Sequence, residues 1–159
     1  RFFEILETQK EKIIYEDERL FAFYDKKRLR SKEHILVCPK KHIADADSLT
    51  VDDIPLVELM HKVALKKLQE LQPGEKYSCG TFFIPPLTLF FRFGFHEPPL
   101  NSISHLHLHG IVEPIKNEYM AESVYGTMLT TPQNMIETLK KRTVPLNTTN
   151  PLLNPMPKL

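Results

Sequence analysis

This chain of 159 residues has few cysteines, no long hydrophobic run and nearly balanced charge. Its two cysteines, Cys38 and Cys79, lie in unrelated contexts, so they provide neither a disulfide framework nor a cysteine zinc site. A reducing compartment fits this pattern. No apolar run reaches the ~18 residues that a membrane-spanning helix needs, so we expect no membrane partner.

The charge balance excludes a further class of protein. The formal net charge is +1, whereas domains that bind nucleic acid by bulk electrostatics are usually strongly basic, so a nucleic-acid partner is not expected. The length suits one domain with its own core. Because the first residue is Arg1 rather than Met, we expect the chain to have been trimmed. The sequence leaves open whether a leader peptide or an upstream domain was removed.

Short apolar segments predict several β-strands. Residues 13–15 and 20–24 flank a charged turn, and residues 34–39 form a nearly continuous apolar run of the kind that is buried on both faces. Residues 76–95 predict either a strand pair or one strand with a long connection. Residues 102–112 predict the last strong strand.

Two segments predict helices, one long and one short. Thr50, with Asp53 three residues later, is typical of a capping box, and an apolar stripe follows at spacings of three and four. The stripe consists of Val57, Met60, Ala64, Leu68 and Leu71. Residues 131–142 predict a short helix with Thr131 as its cap and Pro132 at its first position. Strands, then a helix, then more strands predict an α+β fold with an antiparallel sheet.

The domain organisation follows from a change of composition near the carboxy terminus. Residues 1–142 hold all of the predicted elements and form a single domain. Residues 143–159 are rich in Pro and Asn and lack periodicity, so we expect a separate tail without regular structure.

The string "HLHLH" at residues 105–109 is the most unusual feature of the chain. On a strand, its three histidines would share one face and the two leucines would point into the core. Two interpretations are open. A zinc site needs imidazoles that converge, but the outer two would lie ~13–14 Å apart at their Cα atoms. The alternative, which the spacing favours, is an imidazole that attacks phosphorus.

The surroundings of this string resemble a known family. "HLHLHGI" resembles the H-φ-H-φ-H-φ-φ signature of the histidine triad superfamily, in which φ is apolar. "IIYEDERLFAFYD" and "EHILVCPKKHI" look like the amino-terminal half of its Hint branch. "GFHEPPLNSISHLHLH" is similar to the subgroup of histidine triad nucleotide-binding protein 3, and the aprataxin domain has a related arrangement. The likeness spans about residues 2–142.

The resemblance implies a fold and an assembly. The expected fold is HIT-like α+β, with an antiparallel five-stranded sheet, one long helix and one short helix. In a homodimer, two such sheets would pair into one of ten strands.

The resemblance also implies the catalytic residues. His107 would be the nucleophile that attacks the α-phosphorus and forms a covalent nucleotidyl-histidine. His105 and His109 would flank it, and His34 would complete a set of four histidines. A neutral imidazole is a competent nucleophile at neutral pH, and a second imidazole can hold a proton.

Three further residues match nucleotide-binding positions of the family. Asp25 would accept hydrogen bonds from the ribose hydroxyls, and Ser102 would lie near the phosphate or the leaving group. His96 would line the leaving-group side, while His42 would have a structural role. Two departures from the pattern stand out. Gly110 replaces an apolar residue, which predicts close approach to a ligand or a bulge, and Gly94 stands where many Hint proteins place Asn.

The implied activity is hydrolysis of purine nucleoside 5'-phosphoramidates or acyl-nucleotides, giving AMP or GMP, with no metal and no other cofactor. The alternatives are a dinucleoside polyphosphate hydrolase, and a nucleotide-binding scaffold module with little turnover. Removal of adenylate from a DNA 5' end ranks third, and a metal site would predict stoichiometric zinc. We expect a cytoplasmic protein, with the nucleus as a second location.

Overall fold

The computed structural model describes residues 8, 10–25, 33–72, 77–78, 89–100, 103–112 and 128–142. In this part of the chain the strands are β1 Ile13–Glu16, β2 Leu20–Tyr24, β3 Glu33–Pro39, β4 Tyr77–Ser78, β5 Leu89–His96, β6 Leu108–Val112 and β7 Leu129–Thr130. The helices are α1 Ile54–Leu71 and α2 Pro132–Arg142, and 3-10 turns lie at Lys10–Lys12 and Val51–Asp53. Ser102, Cys79 and the predicted tail, residues 143–159, lie outside the described residues.

The sheet has the predicted antiparallel core. Strands β1, β2, β3, β6 and β5 are neighbours in that order, and every pair among them is antiparallel. Two strands of two residues each also pair with β5, β4 in parallel and β7 antiparallel. The α+β prediction is confirmed, whereas the expected count of five strands omits these two. β4 falls within residues 76–95, for which a strand pair was one of the two predictions. Two residues are too few to produce a periodic pattern, so the sequence did not reveal β7.

The two faces of the sheet are buried in different surroundings. In β3, Ile35 and Val37 belong to the main core with the residues of α1, while Leu36 and Cys38 pack with Phe21 and Phe23 of β2. Because side chains alternate along a strand, His34 lies on the same face as Leu36, opposite α1. His109 is the register partner of Leu36 in β6. The sheet therefore presents its histidines on the face away from the helix.

Helix α1 provides the other layer of the core, as its stripe predicts. The Oδ2 atom of Asp53 accepts hydrogen bonds from the backbone N–H of Thr50, at 2.8 Å, and from its hydroxyl, at 2.9 Å. The buried positions are Val57, Met60, Val63, Ala64 and Leu68, with Leu71 partly buried against the same core. Neither α1 nor any other helix in the described ranges combines the length and apolar character that crossing a membrane requires.

Gly110 is part of this packing. It pairs in regular register with Ile35 of β3 and with Phe93 of β5, so the predicted bulge is wrong at this position. A Cβ atom there would lie 3.0 Å from Cγ1 of Ile35 and 3.5 Å from Cδ1 of Leu68. The glycine therefore makes room for close packing between β6 and α1.

The surroundings of Gly94 in β5 leave less room for a Cβ atom than those of Gly110. We therefore expect alanine to be tolerated less well in place of Gly94. A Cβ atom at Gly94 would lie 2.6 Å from the Cβ atom of Leu129, which follows the backbone of β7. We expect Gly94→Ala to lower the free energy of unfolding by ~1–3 kcal/mol, because the strand must shift. Gly110→Ala is the matched control, with a loss below ~1 kcal/mol, since the side chain of Ile35 can adjust. Urea unfolding of both variants measures the difference, and equal losses would contradict this account.

Candidate active site

The segment that bears the histidine string is not one continuous strand. Strand β6 begins at Leu108, so His105 and His107 precede it, and the prediction that the three histidines share a strand face is wrong. The physical reason lies in the neighbouring strand. β3 ends at Pro39, which has no N–H to extend the ladder, and the N–H of Leu106 instead donates to the carbonyl of Ile43 at 2.7 Å.

This irregular backbone fixes the orientation of His107. Its Nδ1 atom lies 2.8 Å from the carbonyl oxygen of His105. A carbonyl can only accept, so Nδ1 bears the proton and donates it. In a neutral imidazole the other nitrogen then holds the lone pair. The structure thus assigns the nucleophilic lone pair of His107 to Nε2.

His34 and His109 form a buried pair on the face of the sheet opposite α1. Their exposed fractions are 4% and 3%, and Nε2 of His34 lies 2.9 Å from Nδ1 of His109. Asp25 lies at the outer side of this pair, with Oδ2 3.7 Å from Nδ1 of His34. This distance is too long for a hydrogen bond, so the carboxylate acts on His34 through its charge. The carbonyl of His34 in turn accepts the backbone N–H of Asp25 at 2.9 Å.

Ring contacts join four imidazoles into one group, which we call the histidine cluster: His34, His96, His107 and His109. The ring of His109 is central. Its centroid lies 5.2 Å from that of His34, 4.7 Å from that of His96 and 4.9 Å from that of His107. The sheet therefore brings together four of the predicted site residues, from β3, β5 and β6 or the segment just before it.

His105 is anchored away from the histidine cluster. Its Nε2 atom donates to the carbonyl of Pro39 at 2.9 Å, which leaves Nδ1 as an acceptor in the neutral ring. Nδ1 of His42 lies 3.0 Å away and supplies the proton, and the two rings stack with centroids 5.2 Å apart. His42 is exposed and His105 is buried. The pair holds the backbone whose carbonyl orients His107.

Burial keeps the four imidazoles of the histidine cluster uncharged at neutral pH. Desolvation lowers the pKa of His34 to about 4, partly opposed by the charge of Asp25. Desolvation also lowers the pKa values of His107 and His96, and it lowers that of His109 well below its ordinary range. A protonated imidazole has no free lone pair, so these shifts keep His107 in the neutral form, whose lone pair is available.

A shallow pocket that is open to solvent adjoins the histidine cluster. Its wall consists of residues 44–46, which follow β3, together with His96 and residues 103 and 105–107. Within the described ranges, no group of His, Cys, Asp or Glu side chains has the arrangement of a metal site.

Sequence reasoning overlooked several groups of this site. The acceptors at Pro39 and His105 are backbone carbonyls, which every residue has, so the amino-acid type does not indicate them. The bond from His42 to His105 was foreseen only as an unspecified structural role. Asp45, in the pocket wall, has no sequence signal beyond its place in a loop. The predicted role of Ser102 stays a prediction.

The fold agrees with comparisons against known proteins. Residues 2–125 match the family model described as scavenger mRNA decapping enzyme C-term binding. The chain belongs to the histidine triad superfamily. The predicted resemblance and the HIT-like fold are thus confirmed.

This histidine triad protein is similar to curated proteins named HINT3 and HINT4. It is 35% identical over 105 residues to the Arabidopsis thaliana protein named bifunctional adenosine 5'-phosphosulfate phosphorylase/adenylylsulfatase HINT4, covering 65% of this chain and 62% of that protein. It is 31% identical over 113 residues to adenosine 5'-monophosphoramidase HINT3 of Xenopus tropicalis, covering 71% and 65%. The chain therefore spans less than two thirds of the length of these relatives.

A solved structure supports the same assignment. A HIT family hydrolase from Clostridium thermocellum superposes with a TM-score of 0.54 and 26% identity, over 71% of this chain and 89% of that one. The homodimer, the cytoplasmic or nuclear location and the boundary at residue 142 stay predictions.

Proposed function

We propose that this histidine triad protein hydrolyses purine nucleoside 5'-phosphoramidates or acyl-nucleotides at the α-phosphorus, through a nucleotide bound covalently to His107. The observation that supports this most directly is the hydrogen bond from Nδ1 of His107 to the carbonyl of His105, which leaves the lone pair on Nε2. The names of the HINT3 and HINT4 relatives, both of which refer to adenosine 5'-phosphate derivatives, support the substrate class.

In the first step, the Nε2 lone pair of His107 forms a bond to the α-phosphorus. The bond from phosphorus to the leaving nitrogen breaks, and that nitrogen, protonated from solvent, departs with the electron pair as a neutral amine. The imidazole ring becomes positively charged, so its Nδ1–H donates more strongly to the carbonyl of His105. This hydrogen bond therefore stabilises the covalent intermediate more than the free enzyme.

In the second step, water replaces the histidine. Its oxygen bonds to phosphorus, the bond to Nε2 breaks, and the electron pair returns to His107. The proton of the water passes to solvent or to an imidazole of the histidine cluster, and a nucleoside monophosphate leaves.

Asp25 would hold the nucleoside. Its half-buried carboxylate lies beside His34 at the edge of the histidine cluster, and a carboxylate accepts hydrogen bonds from two neighbouring hydroxyls with its two oxygens. His96, whose ring contacts that of His109, would line the leaving-group side. The nucleoside and the leaving group would then extend from His107 towards different ends of the site.

Trapping the intermediate tests this proposal. The protein is mixed with adenosine 5'-phosphoramidate, quenched within milliseconds under conditions that preserve phosphohistidine, and digested for mass analysis. We expect the mass of one adenylate on the peptide that contains His107, and fragment ions that place it on this residue. Free AMP should accumulate at longer times. Nucleotide binding without adduct or AMP would instead support the scaffold module, and an adduct on another residue would overturn the role of His107.

A further inference from the structure

The pocket beside the histidine cluster has a wall of uneven polarity. Ala44, Ala46, Ile103 and Leu106 make much of it apolar. The histidines that line it are neutral at pH 7, because desolvation lowers their pKa values. Asp45 is thus the one side chain with a full charge among the described residues of the wall.

The carboxylate of Asp45 is fixed in position by its own loop. Its Oδ1 atom accepts hydrogen bonds from the hydroxyl of Ser48 at 2.7 Å and from the backbone N–H of Ser48 at 2.9 Å. These bonds lower the pKa of Asp45, so the group is ionised at neutral pH. The loop is tied to the end of α2, where the guanidinium of Arg142 donates to the carbonyls of Asp47 and Leu49 at 3.3 and 3.4 Å.

The position of the pocket indicates which part of a substrate it receives. Asp25 and His34 mark the nucleoside end of the proposed site, and neither lines the pocket. His96 and His107 do line it. A nucleotide whose phosphorus lies at His107 and whose ribose lies at Asp25 therefore extends its leaving group towards Asp45.

We propose that Asp45 selects the leaving group by charge, favouring amines that bear an additional ammonium group and rejecting anions such as sulfate or polyphosphate. This inference rests on the proposed function and names the chemical class of its leaving group. A fixed negative charge attracts a cation and repels an anion, and Asp45 lies in the wall that also contains His107. Asp45 is a specificity residue here, since the reacting atoms are those of His107 and the phosphate.

Three substrates of matched size test the proposal. The first is the adenosine 5'-phosphoramidate of ethylenediamine, whose leaving group bears a second, cationic amino group. The second is the phosphoramidate of ethanolamine, whose leaving group has a neutral hydroxyl at that position. The third is adenosine 5'-phosphosulfate, whose leaving group is the sulfate anion. For Asp45→Asn we expect the ratio of kcat/KM for the cationic to the neutral substrate to fall about threefold, because the carboxylate is partly solvated. The ratio for the anionic to the neutral substrate should rise by a similar factor. Asparagine keeps an oxygen for Ser48, so the loop is preserved.

Asp52→Asn is the matched control, because it removes the same charge from an exposed residue outside the pocket wall. It should leave both ratios as in the wild type. A second measurement needs no variant: raising the ionic strength should lower the wild-type preference for the cationic substrate, since screening weakens the attraction. Unchanged ratios in Asp45→Asn, with the neutral substrate turned over, would overturn this inference alone. A wild type inactive on all three substrates would overturn the proposed function as well.

Discussion

Replacing His107 with alanine should lower kcat/KM for adenosine 5'-phosphoramidate by at least about a thousandfold. Without the imidazole no covalent nucleotide forms, and water would have to attack phosphorus directly. The fold should survive, because His107 is half-buried in a segment outside the strands, and the loss of its bond to the carbonyl of His105 costs only ~1 kcal/mol. Steady-state release of AMP measures the rate, and calorimetric titration with AMP shows whether nucleotide binding persists.

The matched control for this substitution is His61→Ala. His61 lies on α1, packs edge-on against Phe93 with ring centroids 4.7 Å apart, and lies outside the histidine cluster. Its removal should change kcat/KM by less than about threefold, since it touches no reacting group. A His107→Ala protein with native circular dichroism and more than a tenth of the wild-type rate would rule out nucleophilic catalysis by this residue.

Acid should destabilise the protein well before its carboxylates are protonated. His34 has an ordinary pKa of 6.5 that desolvation lowers to about 4 in the folded state. Between these values the unfolded chain binds more protons than the folded one, so stability is fully present above pH 6.5 and is lost as pH falls towards 4. His34 alone should lower the free energy of unfolding by ~2 kcal/mol between pH 7 and pH 5, and His109, whose pKa desolvation also lowers, adds to this loss.

Urea unfolding at half-unit pH steps from 7 to 5 measures the loss. His34→Gln removes one of the titrating groups, so its stability should depend on pH less steeply, by up to ~1.4 kcal/mol per pH unit. The variant starts less stable at pH 7, because Nδ1 of His109 loses its imidazole partner. Parallel curves for the two proteins would mean that His34 is protonated equally in the folded and unfolded states.

Much of the fold was predictable from local patterns. Local rules that act within a few residues account for the short apolar run at residues 20–24, the buried run of β3, the capping box at Thr50 and the proline at the start of α2. The strand count was not predictable, because β7 exists through its pairing with β5, where Gly94 leaves room for Leu129. That contact joins residues far apart in the chain and leaves no periodicity at either place.

The candidate site, like the fold, was only partly predictable from the sequence. The motif predicted a set made of His34, His105, His107 and His109. The ring contacts instead join His96 to His34, His107 and His109, while His105 bonds to Pro39 and His42. The motif did not predict that β6 would start only at Leu108, because this depends on Pro39 ending the neighbouring strand and on Ile43 accepting the N–H of Leu106. The negative charge in the pocket wall was not predictable either, since the loop brings Asp45 near a segment about sixty residues later in the chain.

Two of the groups that orient the imidazoles are peptide carbonyls, those of Pro39 and His105. Every amino acid supplies the same oxygen, so no codon change can delete either acceptor. Saturation mutagenesis of the chain would therefore detect the contribution of the His105 ring but not that of the carbonyl oxygen that holds His107. Amide-to-ester replacement by chemical synthesis does reach it: an ester between residues 105 and 106 weakens that acceptor and also removes the N–H that Leu106 donates to Ile43.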